Sequence, residues 1–86
     1  MSGMIKSAYQ PGDYVKVEFR DDNTLEKEWM WVRVDYCKEE ERLLFGWLDN
    51  QPLVLVDKLR LGQHLAVHFE NVLEHVKASD FSSRRS

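Results

Sequence analysis

Histidine and cysteine are the side chains of this 86-residue chain best suited to metal binding, and their spacing argues against it. His64 and His68 lie in a segment whose apolar residues alternate with polar ones, as in a β-strand. Four residues of strand separate two side chains by about 13 Å, whereas Zn–N bonds are about 2.0–2.1 Å long. His75 beside either of them would complete only a pair of ligands. The sequence therefore predicts no metal site and no cofactor.

Cys37 is the only cysteine and the one candidate nucleophile away from the ends of the chain, where the serines lie. Glu39, Glu40 and Glu41 follow it closely, and their charges raise the pKa of a thiol rather than lowering it. No base stands next to it, the paired carboxylates fall in predicted turns, and no Gly-rich phosphate loop is present. We therefore expect no catalytic residue and a protein that is not an enzyme.

Charge and hydropathy exclude two classes of partner. With 12 Lys and Arg against 15 Asp and Glu, the chain has no basic excess to hold a polyanion, so we expect no nucleic-acid partner. No apolar run reaches the roughly 18 residues of a membrane span, and residues 1–10 lack the apolar core of a signal peptide. A lone cysteine in so small a chain favours the reducing cytoplasm, because small secreted domains usually depend on disulfides.

Apolar residues make up 43% of the chain, which is enough for one packed core. We expect a single β-rich domain over residues 9–81, with flexible termini at 1–8 and 82–86. Within the domain, apolar and polar residues alternate with the period of two that is typical of strands. The predicted strands span residues 14–20, 28–36, 42–48 and 64–70, and a short apolar run at 53–56 is a further candidate.

The last predicted element is a short C-terminal helix. Asn71 is a good helix N-cap, and Glu74 three residues later completes a variant of the capping box. Val72, Leu73 and Val76 then share one side. The connections between strands are too short for parallel crossovers. The predicted fold is therefore mainly β, a β-rich α+β domain. We expect a strongly bent antiparallel sheet or a small SH3-like barrel of four to five strands, closed by this helix.

The second predicted strand has no ordinary solvent-facing side. Its even positions, Met30, Val32, Val34 and Tyr36, form one apolar face. The opposite face, extended by the third predicted strand, collects rings and one cation: Trp29, Trp31, Arg33, Phe45 and Trp47. Each such ring buries about 150–250 Å², and Trp, Tyr and Arg dominate binding hot spots. Either this hairpin is covered on both sides, or its second face is a binding surface.

Three segments, residues 28–32, 46–52 and 59–63, resemble the small bacterial YegJ-like domain of unknown function. The family pattern has an acidic residue before Met-Trp-Val, a Gly-x-Leu-x-Asn-x-Pro stretch and a Leu-Lys-x-Gly turn. The matching positions are Glu28, Met30, Trp31, Gly46, Leu48, Asn50, Pro52 and Gly62. The family's closing Asp-Trp is absent, since Glu74 and His75 stand there. The resemblance implies a compact β-rich domain with no established reaction.

The sequence thus indicates a non-catalytic cytoplasmic binding domain that uses the aromatic face of its second and third strands. A protein partner or self-association, such as a homodimer, is the leading hypothesis. Trp rings would supply apolar contact, Arg33 a cation, and Glu28 with Asn50 polar specificity. The candidate binding residues are Glu28, Trp29, Trp31, Arg33, Phe45, Trp47 and Asn50.

Two alternatives remain open at this point. The first is a small-molecule sequestering protein of the mobile-element or phage type, which stacks a nucleotide-like ligand between Trp rings at the barrel mouth. Arg33 or Lys16 would then hold an anionic group. The second is an immunity-like inhibitor whose acidic residues meet a basic toxin or nuclease. Those acidic residues are Asp21, Asp22, Glu39, Glu40 and Glu41.

Overall fold

The computed structural model describes residues 9–78, which form one antiparallel sheet of five strands. The strands are β1 (Tyr14–Arg20), β2 (Lys27–Lys38), β3 (Leu43–Leu48), β4 (His64–His68) and β5 (Val72–Val76), in the spatial order β4-β3-β2-β1-β5. Short 3-10 turns at Glu39–Glu41 and Phe69–Asn71 connect β2 to β3 and β4 to β5. The predicted flexible segments 1–8 and 82–86, and residues 79–81 of the predicted domain, lie outside the described residues.

One face of the sheet carries the core. The alternation in β1 buries Val15 and Val17, and the apolar even positions of β2 lie beside them. The core cluster consists of Val15, Val17, Met30, Val32, Val34, Leu44, Leu48 and Val67. Tyr9, Leu59 and Phe69 pack against its margin. Because side chains alternate along every strand, the opposite face of the sheet is formed by a separate set of residues.

The predicted closed barrel is wrong, because the sheet is open. Its outermost strands, β4 and β5, are consecutive in sequence but form no ladder with one another. The three residues Phe69–Asn71 join the two edges at one end only. No hydrogen-bonded ladder between these two strands closes the sheet.

The predicted C-terminal helix is also wrong, because residues 72–76 form β5. Asn71, predicted as the helix cap, is instead the last residue of a 3-10 turn. β5 pairs with β1 from Tyr14 opposite Val76 to Val17 opposite Val72, with a register shift between. A helix of this length is unstable alone, whereas the ladder with β1 satisfies the backbone of both strands.

Residues 49–63 form a long loop, and the strand predicted at 53–56 is absent from it. The backbone N–H groups of Leu53, Val54 and Leu55 all donate to the carboxylate of Glu28. Successive N–H groups of a strand point in opposite directions, so this arrangement excludes an extended strand. Pro52 and Leu55 are buried beneath the loop.

A β-bulge at Asp35 changes which side of the sheet each of the following residues of β2 faces. Val34 lies opposite Gly46 and Tyr36 opposite Phe45, so Asp35 has no partner on β3. The extra residue turns Tyr36 away from the core, which corrects its predicted place on the same face as Met30, Val32 and Val34. Cys37 packs against the core instead.

Candidate functional site

The face of the sheet opposite the core is rich in rings, and we call it the aromatic face. It consists of six ring side chains and one guanidinium, that of Arg33. The ring side chains are Trp29, Trp31, Tyr36, Phe45, Trp47 and His64. Trp29 exposes 56% of its surface and Tyr36 exposes 43%. The rings of Trp31, Phe45 and Trp47 are half-buried. Aromatic residues predicted to share a face are therefore together, and that face is open to solvent.

Five side chains of the aromatic face form one continuous row across β2, β3 and β4. The Tyr36 and Phe45 rings stack with centroids 4.7 Å apart and planes at 11°. His64 lies 6.5 Å from the Phe45 ring centroid and 5.3 Å from that of Trp47. At the end of the row, the Arg33 guanidinium lies 5.0 Å from the Trp47 centroid. Cross-strand register creates this row, since Arg33, Trp47 and His64 are direct partners.

Charged and polar side chains border the row. The Nε2 atom of His64 lies 3.1 Å from Oδ2 of Asp35, the bulge residue. The Lys38 ammonium lies 5.8 Å from the centroid of Phe45. Tyr14 is the β1 partner of Arg33. Burial raises the pKa of the Tyr14 hydroxyl, and the nearby Asp49 carboxylate, with which it forms a hydrogen bond, raises it further.

The first half of β2 carries a more polar part of the aromatic face. Trp31 lies opposite Lys16, whose ammonium is 3.9 Å from a carboxylate oxygen of Glu74. Trp29 lies opposite Glu18. Hydrogen bonds from Arg20, the stronger influence, and from the Trp29 side chain hold the pKa of Glu18 below its ordinary value. Trp29 thus combines an exposed ring with an anchored indole N–H.

Glu28 and Asn50 lie at the margin of the aromatic face, and both position the 49–63 loop. The Oδ1 atom of Asn50 accepts a hydrogen bond from the backbone N–H of Trp31. Glu28 accepts three backbone bonds of 2.8, 2.9 and 3.0 Å from residues 53–55. Burial alone would raise the pKa of Glu28, but these bonds outweigh it and lower the pKa. Both side chains therefore use oxygen atoms as hydrogen-bond acceptors for backbone N–H groups of the same chain.

Groups that could support catalysis serve other purposes. The buried Asp13 carboxylate binds His75 and two backbone N–H groups. Burial raises the pKa of the Cys37 thiol, and the Glu39 carboxylate raises it further. Residues 9–78 contain no group of three or more His, Cys, Asp or Glu placed to hold a metal ion. The Asp13 carboxylate is thus engaged in contacts within the fold.

Sequence reasoning missed Tyr36, Lys38 and His64 as members of the aromatic face. The β-bulge brings the first two to this side, and no local pattern marks a bulge. His64 joins the row only because β4 pairs with β3, which is a long-range contact. The sequence pattern places the adjoining Asp35 on the same face as Trp29, Trp31 and Arg33. It does not predict the contact of Asp35 with His64.

Comparison with known proteins finds no family model, no curated protein and no solved structure that matches the chain. The resemblance to the YegJ-like domain therefore stays a prediction from the sequence. None of the helical segments within residues 9–78 has the length and hydropathy needed to cross a membrane.

Proposed function

We propose that this protein is a non-catalytic binding domain that uses its aromatic face to bind a protein partner or a second copy of itself. The observation that carries the proposal is the exposure of Trp29 and Tyr36 on an open sheet face. Large apolar rings clustered at the surface are typical of interaction sites. The lone Cys37 favours the cytoplasm as the place where the domain acts.

The row from Tyr36 to Arg33 supports the proposal because its side chains are already ordered. Each of them contacts a ring on the neighbouring strand at a centroid distance of 4.7–6.5 Å. Immobilising a flexible side chain costs about 0.5–1.5 kcal/mol on binding, and this cost is smaller for side chains already held in place. Trp, Tyr and Arg are also the residue types most common in binding hot spots.

Glu28 and Asn50 enter the proposal as positioning residues. They join the 49–63 loop to the strand that carries Trp29 and Trp31. We infer that they keep this end of the aromatic face rigid instead of touching the partner.

The two alternatives receive less support from the geometry. Three clefts formed by the described residues lie along the 49–63 loop and beside the turn after β1, away from the ring row. A flat ligand stacked in a barrel mouth would need a pocket among the Trp rings. The acidic groups at 21–22 and 39–41 lie at opposite ends of β2, roughly 35 Å apart at the usual rise of a strand. An inhibitor would therefore present two separate acidic patches.

Association of the purified protein and capture of partners from cell extract test the proposal together. Trp29→Ala removes the most exposed ring, and we expect it to weaken association by about tenfold or more with an unchanged circular dichroism spectrum. Leu61→Ala is the matched control, because Leu61 is 55% exposed and belongs to the 49–63 loop rather than to the aromatic face as defined above. If folded Trp29→Ala and Trp47→Ala both associate with the same partners as the wild type, the proposal is wrong.

A further inference from the structure

A second exposed apolar surface lies at the end of the sheet where β1 turns into β2. We call it the apolar tip and define it as Leu25, Leu53, Val54 and Val56. Their exposed fractions are 77%, 82%, 46% and 54%. Leu25 belongs to the turn after β1, and the other three belong to the 49–63 loop. Four exposed aliphatic side chains on two adjacent loops exceed the scattered exposure that is normal for a monomer.

The two loops of the apolar tip are joined to each other. The Lys58 ammonium lies 3.4 Å from a carboxylate oxygen of Asp21. Thr24 and Val54 line the same cleft between the loops. The tip is thus one surface made of two segments that are distant in sequence.

The apolar tip is also held in a fixed shape. Glu28 accepts the backbone N–H groups of Leu53, Val54 and Leu55, which sets the loop against β2. Leu25 has a φ of 65°, in the left-handed region that is rare for a residue other than glycine, and its N–H donates to the Asp21 carbonyl. A fixed tip at the end of the sheet cannot fold over onto the aromatic face of its own chain.

Some charged side chains on the two surfaces form no ion pair among residues 9–78, and the prevailing signs of those charges are opposite. On the aromatic face, Arg33 and Lys38 lie over rings, and neither forms an ion pair with another described residue. Beside the apolar tip, the exposed carboxylates of Asp22, Glu26 and Asp57 outnumber the one exposed cation there, Lys27, and none of the four forms an ion pair among residues 9–78. A tip carrying free carboxylates complements a ring surface carrying free cations.

We propose that the occupant of the aromatic face is the apolar tip of a second copy of this chain. The inference rests on the proposed function, because it uses the same face. Each copy then offers one tip and one face, so the contact is head-to-tail. Such a contact forms a ring or a growing chain of copies rather than a closed two-fold dimer.

Mixing two defective variants tests this arrangement. The face variant carries Arg33→Glu and Lys38→Glu, and the tip variant carries Leu53→Ser and Val56→Ser, all at exposed positions. Sedimentation velocity of the wild type should show mass increasing with concentration beyond a dimer, and each variant alone should stay monomeric. An equimolar mixture should form a heterodimer, because one intact tip meets one intact face. Leu61→Ser should associate as the wild type does.

Other results would contradict the head-to-tail contact. These results differ from those that would contradict the proposed function. A wild type that stays monomeric at every concentration excludes a second copy, while loss of a captured partner in Trp29→Ala still supports the aromatic face. A tip variant that associates normally, or a mixture that stays monomeric, shows that the tip is not the occupant. Failure of both Trp29→Ala and Trp47→Ala to change any association would instead show that the proposed function itself is wrong.

Discussion

The Nε2 atom of His75 lies 2.7 Å from Oδ2 of Asp13, a contact between residues 62 positions apart. The same carboxylate accepts backbone N–H bonds from Gln10 at 3.0 Å and from Ala78 at 2.9 Å. Asp13 is only 3% exposed. One buried carboxylate therefore joins the segment before β1 to the segment after β5.

Asp13→Asn should lower the free energy of unfolding at neutral pH by about 1–3 kcal/mol, because an amide cannot replace a charged acceptor for three donors. Burial alone would raise the pKa of Asp13, but its hydrogen bonds outweigh burial and the pKa lies below the ordinary 3.8. The ionised form then contributes stability that is present above pH 3.8 and lost as the pH falls through the lower folded-state pKa. Urea denaturation from pH 7 to pH 2 should show the wild type approaching the variant only in acid.

The exposed Asp22→Asn is the control for this pH series, and it should follow the wild type at every pH. A difference between wild type and Asp13→Asn that is constant over the whole range would show that ionisation of Asp13 does not stabilise the fold.

Glu28→Ala should destabilise the 49–63 loop, because three backbone N–H groups lose their shared acceptor. Hydrogen bonds to a charged group contribute about 1.5–3 kcal/mol, and water recovers part of this at a loop, so we expect a loss of about 1–2 kcal/mol. Hydrogen exchange at Leu53, Val54 and Leu55 should become faster in the folded protein. Glu40→Gln, an exposed change in the turn after β2, should leave both properties unaltered. Unchanged exchange at residues 53–55 would contradict the role given to Glu28.

Gly46→Ala should be among the most destabilising single-methyl additions to the sheet. A Cβ at Gly46 would clash with the Arg33 carbonyl oxygen and lie 2.9 Å from a Val32 methyl carbon, so the backbone of β2 would have to move. Overpacking of this kind costs about 1–3 kcal/mol or more. Thermal unfolding should show a larger loss than Gly62→Ala, which has open space but a φ of +85° and should cost about 1–2 kcal/mol. Equal midpoints for Gly46→Ala and the wild type would be incompatible with this register.

Cys37 should react slowly with a thiol reagent in the folded protein at neutral pH. Burial and the Glu39 carboxylate raise the pKa of the thiol, and its S–H lies 3.5 Å from the Tyr9 carbonyl oxygen. The reactive thiolate is therefore scarce and partly shielded. The labelling rate should rise markedly when the chain is unfolded in urea. The unfolded protein thus serves as the control for the folded protein. Similar rates in both states would mean that Cys37 is open and reactive.

Strands with one buried face and one solvent-exposed face could be predicted from the sequence. The strand predicted at 14–20 is confirmed with the same bounds, because its alternation of apolar and charged residues fits only a strand. The end of the domain could not be predicted in this way. Residues 72–76 carry both a capping signal and an apolar spacing that suits a helix, and only the distant ladder with β1 selects the strand.

The candidate site was predictable as far as local alternation extends. Trp29, Trp31 and Arg33 share a face because no irregularity interrupts β2 before Val34. After the bulge at Asp35 the alternation is reversed, so Tyr36 was assigned to the wrong side. A bulge depends on the register between strands, which one strand's sequence does not contain.

The strand order has a consequence for biosynthesis. Of the five strands within residues 9–78, β1 is made first and its outer partner β5 is made last. About 50 residues separate them, and a ribosome adding about 5–20 residues per second needs roughly 3–10 s to make that stretch. During this time the hairpin of β1 and β2 can form while the outer edge of β1 stays unpaired. The nascent chain is therefore exposed to wrong strand pairing at Tyr14–Arg20, and this is where a chaperone would need to act.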